Sequence, residues 1–252
     1  MNKILLNNGK NIESNTLNNG NFIIEKDINV FLELDELKDD ISIRVLDNVR
    51  SSIKIIANNI SSKVNIILGE NSYLHIDSLV SDSSCIITIS LAGRGSEIEW
   101  ISSVIVDKDS KLEFSVSHDS EDTKSLVVNN GFVLGNNKLV FDVNGIVKKK
   151  SNRSICFQDS KIITNNNQLS RILPNLYIEN YDVEAEHSAY IGKFKEEDMF
   201  YLMSRGISRS DAYLLLVKSF LIGKMVLTEE EENKMIFKID EYVRKGDKYY
   251  ES

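Results

Sequence analysis

A single proline, Pro174, occurs in 252 residues, and cysteine is nearly as scarce. Cys85 and Cys156 lie far apart and form no CxxC, which excludes a disulfide framework and fits a reducing compartment. No run of 18 or more apolar residues exists, so no membrane-spanning helix is expected. Met1-Asn2-Lys3 leads into only three apolar residues, too few for a secretory signal, and the cytoplasm is the expected location. Clustered positive charge is missing as well. The formal net charge is -8, and the one basic run, Lys148-Lys149-Lys150, reads as a solvated turn, which argues against nucleic-acid binding. Ala92-Gly93-Arg94-Gly95 is followed neither by a third glycine nor by Gly-Lys-Ser/Thr, so neither a dinucleotide loop nor a phosphate loop is met. No G-x-S-x-G and no H-E-x-x-H occurs.

What is present, from about Ile41 to Ile178, is a series of short alternating runs rich in β-branched residues. Examples are Lys63 to Leu68, Cys85 to Leu91, Glu97 to Ile101 and Lys111 to Val116. Polar tetrads separate them, at Gly69-Glu70-Asn71-Ser72, Asp107-Lys108-Asp109-Ser110 and Gly135-Asn136-Asn137-Lys138. Alternation places one face inward and one outward, with Gly, Asn and Asp at the bends. If Val64, Leu74, Ile86, Ile98, Leu112, Leu126 and Leu139 are the first inward residues of successive runs, the gaps are 10 to 14 residues. So regular a spacing without intervening helices suggests stacked coils, a β-solenoid; the rival is a β-sandwich. Regularity and scarce proline favour the solenoid, whose last coil leaves a sheet edge to be covered or paired. The first 40 or so residues read as an irregular β start. Hairpin-like turns are expected there at Asn7-Asn8-Gly9-Lys10 and Asn18-Asn19-Gly20-Asn21, with a polar turn at Lys38-Asp39-Asp40.

Beyond Lys195 the period becomes helical. Glu196-Glu197-Asp198 forms an acidic first turn, Met199, Leu202 and Met203 follow at helical spacing, and Gly206 reads as a C-terminal stop. Ser208 with Asp211, and Thr228 with Glu231, read as capping boxes opening two more helices, the last running through Met235, Ile236, Ile239 and Val243 to Gly246. The expected organisation is a β body over residues 1–192 and a helical subdomain over residues 193–252.

The junction carries a longer pattern: Pro174-Asn175-Leu176-Tyr177-Ile178, Asp182-Val183, Glu186-His187-Ser188-Ala189, Ile191-Gly192-Lys193, then Phe200-Tyr201-Leu202-Met203-Ser204-Arg205-Gly206-Ile207, Asp211-Ala212 and Phe220. In order and spacing this stretch resembles the SufB/SufD family of iron–sulfur cluster assembly scaffolds, SufD more than SufB. A weaker likeness reaches back through His118-Asp119 and the Phe141 to Val147 region. The resemblance implies a right-handed parallel β-helix followed by a helical end, without the N-terminal helical region of larger members. It also implies pairing with a SufB-like sister or a second copy through the end of the β-helix, and docking of a SufC-like ABC ATPase on the helical end. Phe200, Tyr201, Ser204, Arg205 and Gly206 are the docking residues it points to.

His187 falls on the family's histidine and is the one expected ligand. Where SufD-type members carry Cys, this chain has Ala185; where SufB-type members carry Glu, it has Ser188; and no cysteine follows Cys156. A nascent cluster needs thiolate, imidazole or carboxylate ligands. The expectation is therefore a non-enzymatic supporting subunit with no tightly bound cofactor, offering His187 to a transient cluster at a subunit interface. His75 and His118 lack partners at metal-ligand spacing, and Cys85 and Cys156 read as core. A homodimeric minimal scaffold is the nearest alternative. A carbohydrate-active β-helix enzyme is a different one, and no carboxylate pair singles it out.

Overall fold

The computed structural model describes residues 20–164 and 169–245. The turn expected at residues 7–10, the Asn18-Asn19 half of the second turn, and Gly246 lie outside the described residues. The strands, in chain order, are β1 (Asn21–Ile24), β2 (Asn29–Asp35), β3 (Ile41–Val45), β4 (Arg50–Asn58), β5 (Ser61–Leu68), β6 (Tyr73–Ser81) and β7 (Ser84–Leu91). They continue as β8 (Glu97–Val106), β9 (Ser110–His118), β10 (Lys124–Val133), β11 (Leu139–Val147), β12 (Ser154–Thr164), β13 (Arg171–Ile178) and β14 (Val183–Gly192). Three helices close the chain: α1 (Glu196–Ser204), α2 (Arg209–Ile222) and α3 (Glu229–Lys245). Odd strands build one seven-stranded sheet and even strands the other, and every pairing among them is parallel. This is the expected β-solenoid, of about six turns, and not a sandwich. Gly20-Asn21 opens no hairpin: β1 pairs in parallel with β3.

Each coil holds two strands, so the 10 to 14 residue spacing is half a coil. Corner hydrogen bonds link residues 23 apart in the early coils, such as Glu70 N donating to Asp47 Oδ1, and 31 apart later, such as Arg153 Nε donating to Asp122 Oδ1. Corners carry a second ladder. Asn48, Asn71, Gly95, Asp122 and Arg153 all have positive φ, and their N–H groups donate to Glu70, Arg94, Glu121, Asn152 and Asp182 carbonyls of the following coil. At the opposite corner Glu36, Asn59 and Asp82 do the same toward Asn58, Ser81 and Ile105. Asn and Asp tolerate this left-handed backbone best after Gly, which explains their abundance at the bends. Gly93 serves close approach: a Cβ there would lie 2.1 Å from Glu70 N. The Ala92 to Gly95 glycines thus answer to coil stacking.

Inward ranks form a continuous apolar core between the sheets, including Ile53, Ile76, Trp100, Phe114 and Phe141. Trp100 and Phe114 meet edge-to-face at 5.3 Å. Two of the expected inward positions face out. Ile86 is exposed, because Cys85 and Ile87 take the inward rank, and Leu126 faces out because Ser125 and Val127 face in. The error at Leu126 has a clear cause. Sheet faces covered on both sides lose polar alternation, and the outer face of the even sheet is covered by helices. Leu79, Ile105, Phe132 and Ile163 pack there against Val217, Leu221, Met235, Ile239 and Val243. The odd sheet is bare outside and keeps a polar rank in register: Asn65, Thr88, Ser115, Asn144 and Asn175.

The helices start as expected, and α1 stops at the expected Gly206. Ser208 Oγ accepts from Asp211 N at 3.1 Å, and Thr228 and Glu231 cap each other reciprocally. Gly206 (φ +87) follows α1 with Gly206 N donating to Met203 O and Ile207 N to Leu202 O, a Schellman stop. Lys54–Glu231 (3.1 Å) and Lys234–Glu33 (3.2 Å) tie α3 to the early coils. Truncating fully buried Phe114 to Ala should cost about 3–5 kcal/mol in urea unfolding, whereas Phe200→Ala, on an exposed helix face, should stay within about 0.5 kcal/mol. Equal effects would contradict this placement of the core.

Candidate functional site

The solenoid ends on an open coil. β13 pairs only with β11 and β14 only with β12, so both are edge strands among the described residues. Their side chains include exposed Leu173, Tyr177, Ile178 and Tyr190, one of the exposed apolar and aromatic groups of the described surface. Pro174 sits in β13, where an edge strand tolerates its missing donor. His187 lies on β14 in register with Gln158, and Ala185 in register with Cys156. Gln158 and Cys156 belong to the buried rank of β12. His187 therefore continues an inward rank, and it is exposed because no described strand stacks above it.

The rank below the opening is polar. Across β6, β8, β10, β12 and β14 one row runs Ile76, Trp100, Val127, Gln158, His187, and its neighbour Leu74, Ile98, Ser125, Cys156, Ala185. Apolar fill gives way to hydrogen-bonding side chains toward the open end. Gln158 Oε1 is buried with no hydrogen-bond partner among the described residues. The Cys156 thiol is pushed up by burial, against an opposing hydrogen bond with Ser125, so it stays protonated near neutrality. On the outer rank, Ser188 Oγ donates to Asp159 Oδ1 at 2.5 Å, and Lys224 at the end of α2 pairs with Asp159 Oδ2 at 3.1 Å. Burial would raise the Asp159 carboxyl, but Ser188, Lys224 and Lys161 outweigh it and hold it below the usual range. Among the described residues no group of three or more His, Cys, Asp or Glu is arranged to hold a metal ion.

α1 presents the second exposed group. Phe200 is 74% and Tyr201 58% exposed, with Met203 beside them, while Met199 alone on this helix is buried. The Arg205 guanidinium lies 5.3 Å from the Tyr201 ring centre, and Ser204 Oγ donates to Tyr201 O at 2.7 Å. Phe194, stacked edge-on against Tyr213 and Phe220, anchors the segment between β14 and α2. The structure thus separates the expected residues into two places, His187 at the open coil and Phe200 to Gly206 on the first helix.

Residues 62–220 match the family described as SUF system FeS cluster assembly, SufBD core domain. The chain belongs to the SufBD core family. Among curated proteins it is similar to iron–sulfur cluster assembly SufBD family proteins of Staphylococcus saprophyticus (34% identical over 108 residues) and of Staphylococcus haemolyticus and Staphylococcus aureus (33% each). The aligned stretch covers 41% of this chain and 23% of each relative's length. The SufBD match spans most of the solenoid and ends within α2, so both exposed groups fall inside it.

Several residues at the opening carry no sequence signal on their own. Cys156 and Gln158 become neighbours of Ala185 and His187 only through a coil of about 30 residues. Tyr177 and Tyr190 read as ordinary strand aromatics. The doubled apolar character of Leu-Tyr-Ile at Leu176 to Ile178 was the available hint, since an alternating strand would place a polar residue in the middle.

The other two histidines are structural. His118 is fully buried, with Nδ1 2.8 Å from Thr123 Oγ1 and Nε2 2.9 Å from Ser125 Oγ, and burial pushes its pKa down to about 4. His75 packs on the outer face of β6 beneath the α2–α3 connection. Its Nε2 lies 2.9 Å from Asp77 Oδ2 and its Nδ1 3.4 Å from Glu99 Oε2, and Val226 N donates to the same Asp77 oxygen at 3.1 Å. The Asp77 hydrogen bond outweighs burial and raises its pKa above 6.5. The two rings have opposite linkage. His75 binds its proton more tightly when folded, so its contribution is full below about pH 6.5 and is lost as pH rises through its folded value. His118 is held neutral, so its contribution is lost as pH falls from about 6.5 toward 4. Relative to the parent, His75→Gln should flatten the stability profile above pH 6.5 and His118→Asn below it, measured by urea unfolding across pH 4–9. Identical slopes in parent and variants would refute the assignment.

Proposed function

We propose that the chain is a non-enzymatic scaffold subunit of a SUF-type iron–sulfur cluster assembly complex in the cytoplasm, with SufD-like character. The open terminal coil carries this reading. Two edge strands, each paired on one side only among the described residues, with exposed Leu173, Tyr177, Ile178 and Tyr190, offer backbone donors and acceptors together with apolar area, the combination by which a further strand is added across an interface. The partner is a SufB-like sister subunit. Ala185 and Ser188 stand where relatives of the SufB/SufD type carry Cys and Glu, so His187 supplies one imidazole and the sister supplies the remaining ligands of a transient cluster, which is cargo and not a resident cofactor. A second copy of this chain in the sister's place would leave the interface without thiolate or carboxylate from these positions. Sedimentation of the chain alone separates the two arrangements.

The SufC-like ATPase docks on α1, where exposed Phe200 and Tyr201 stand beside the cation of Arg205, a set of residue types that dominates binding energy at interfaces. ATP hydrolysis then belongs to that partner. Removing the whole helical end is a poor test, because α2 and α3 cover apolar residues of the even sheet. Point changes avoid this. Phe200→Ala with Tyr201→Ala should leave the unfolding midpoint unchanged and weaken association with the cognate ATPase at least tenfold, about 1.4 kcal/mol; unaltered affinity by calorimetry would remove α1 from the interface. His187→Ala should keep the fold and the complex intact while lowering the iron and sulfide held per complex after reconstitution. Undiminished loading would end the ligand assignment.

A further inference from the structure

The early coils are hollow. A cavity of about 100 Å3 lies between the two sheets, with Ile55, Val64, Val80, Cys85, Ser62 and Ser102 among the residues that line it. Its origin is visible in the ranks. Ile55, Ser78 and Ser102 stand in register across β4, β6 and β8, beside the row Ile53, Ile76 and Trp100. Two successive serines leave a volume deficit where the adjoining row is filled by an indole. The facing odd sheet does not make up the difference, because Ser62 and Cys85 stand in register there.

Two independent observations agree that no described residue fills the space. Ile43, Ile55, Val64 and Cys85 point inward and pack against the core, yet remain only partly buried. Ser102 Oγ is buried and reaches no hydrogen-bond partner among the described residues, whereas Ser78 Oγ accepts from Trp100 Nε1 at 2.9 Å. Burial pushes the Cys85 thiol up to about 11, so it lines the wall as an uncharged group.

We infer that this cavity is a binding site for one small apolar molecule, of the size of xenon or a three- to four-carbon aliphatic. Protein interiors are packed at crystal density, and an apolar void lined by aliphatic side chains takes up guests of matching size; an engineered void of about 150 Å3 holds benzene or xenon, and this one is about two-thirds as large. Selectivity follows from size and from the apolar lining. Charged or strongly hydrated molecules would lose their solvation without replacement. The site lies in the early coils, apart from the open terminal coil and from α1, and does not depend on the partners proposed for either.

The test uses the full chain with its Ile, Leu and Val methyl groups labelled, under increasing xenon pressure. Methyl resonances of Ile55, Val64 and Val80 should shift and saturate, while those of Leu215 and Val226, on the helical surface, should not. Cys85→Leu fills the void, and it should abolish the saturable shift and raise the unfolding midpoint. If that variant fails to fold, Ser62→Val is the second filler, with the same expectation. Absence of a saturable shift in the parent overturns the proposal, and so does a shift of equal size in a folded filled variant.

Discussion

Each coil passes its backbone hydrogen bonds to the next, and at the corners this demands a residue at positive φ whose N–H reaches the following coil's carbonyl. Eight such residues, from Glu36 to Arg153, meet the demand at the two corners. A non-glycine residue in this conformation costs about 1 kcal/mol or more, so the choice of Asn and Asp at five of them is a response to backbone geometry. Glu36 and Arg153 are the costly exceptions, and at Arg153 part of the compensation is visible. Its guanidinium binds Asp122 at 2.6 and 2.9 Å and Glu121 at 3.1 Å, which offsets part of that cost and draws the Asp122 carboxyl down to about 2. Because corners absorb added residues while strands keep register, coils lengthen from 23 to 31 residues without losing their parallel pairing.

The same stacking sets up a gradient inside the protein. Early coils are apolar and partly empty, middle coils are plugged by Trp100 against Phe114, and later coils hold Ser125, Cys156 and Gln158. Groups able to bind through hydrogen bonds or lone pairs thus collect toward the open end. A residue such as His187 is then presented by a rigid sheet whose position is fixed by every coil beneath it, which is how strands hold functional groups more accurately than loops.

Much of this could be read from residue order. Strand runs from Lys63 to Val116, turn tetrads, capping boxes and the Gly206 stop coincide with what the structure shows, because each depends on neighbours within a few residues. Local reading gave half the coil length and could not give the register, because a coil closes over 23 or more residues and only the paired partner reveals it. It also misjudged Leu126, since a strand covered on both faces carries no alternation to read. For the candidate site, His187 and the Phe200 to Gly206 block are singled out by family resemblance alone. The alignment of His187 with Gln158, of Ala185 with Cys156, and of Ser188 with Asp159 was not, being a property of stacking alone.

The helices that cover the even sheet belong to the last part of the described chain, yet they reach back far along it: Ser103 Oγ bonds Leu221 O across 118 residues, and Tyr242 Oη bonds Asn58 Oδ1 across 184. During synthesis, coils can stack one upon another as they leave the ribosome, in the manner of a growing repeat array. Leu79, Ile105 and Phe132 must nevertheless wait, uncovered, until α2 and α3 have been made. The nascent chain therefore passes through a stage with an apolar sheet face open to solvent, when a chaperone has most to protect and a premature stop does most harm.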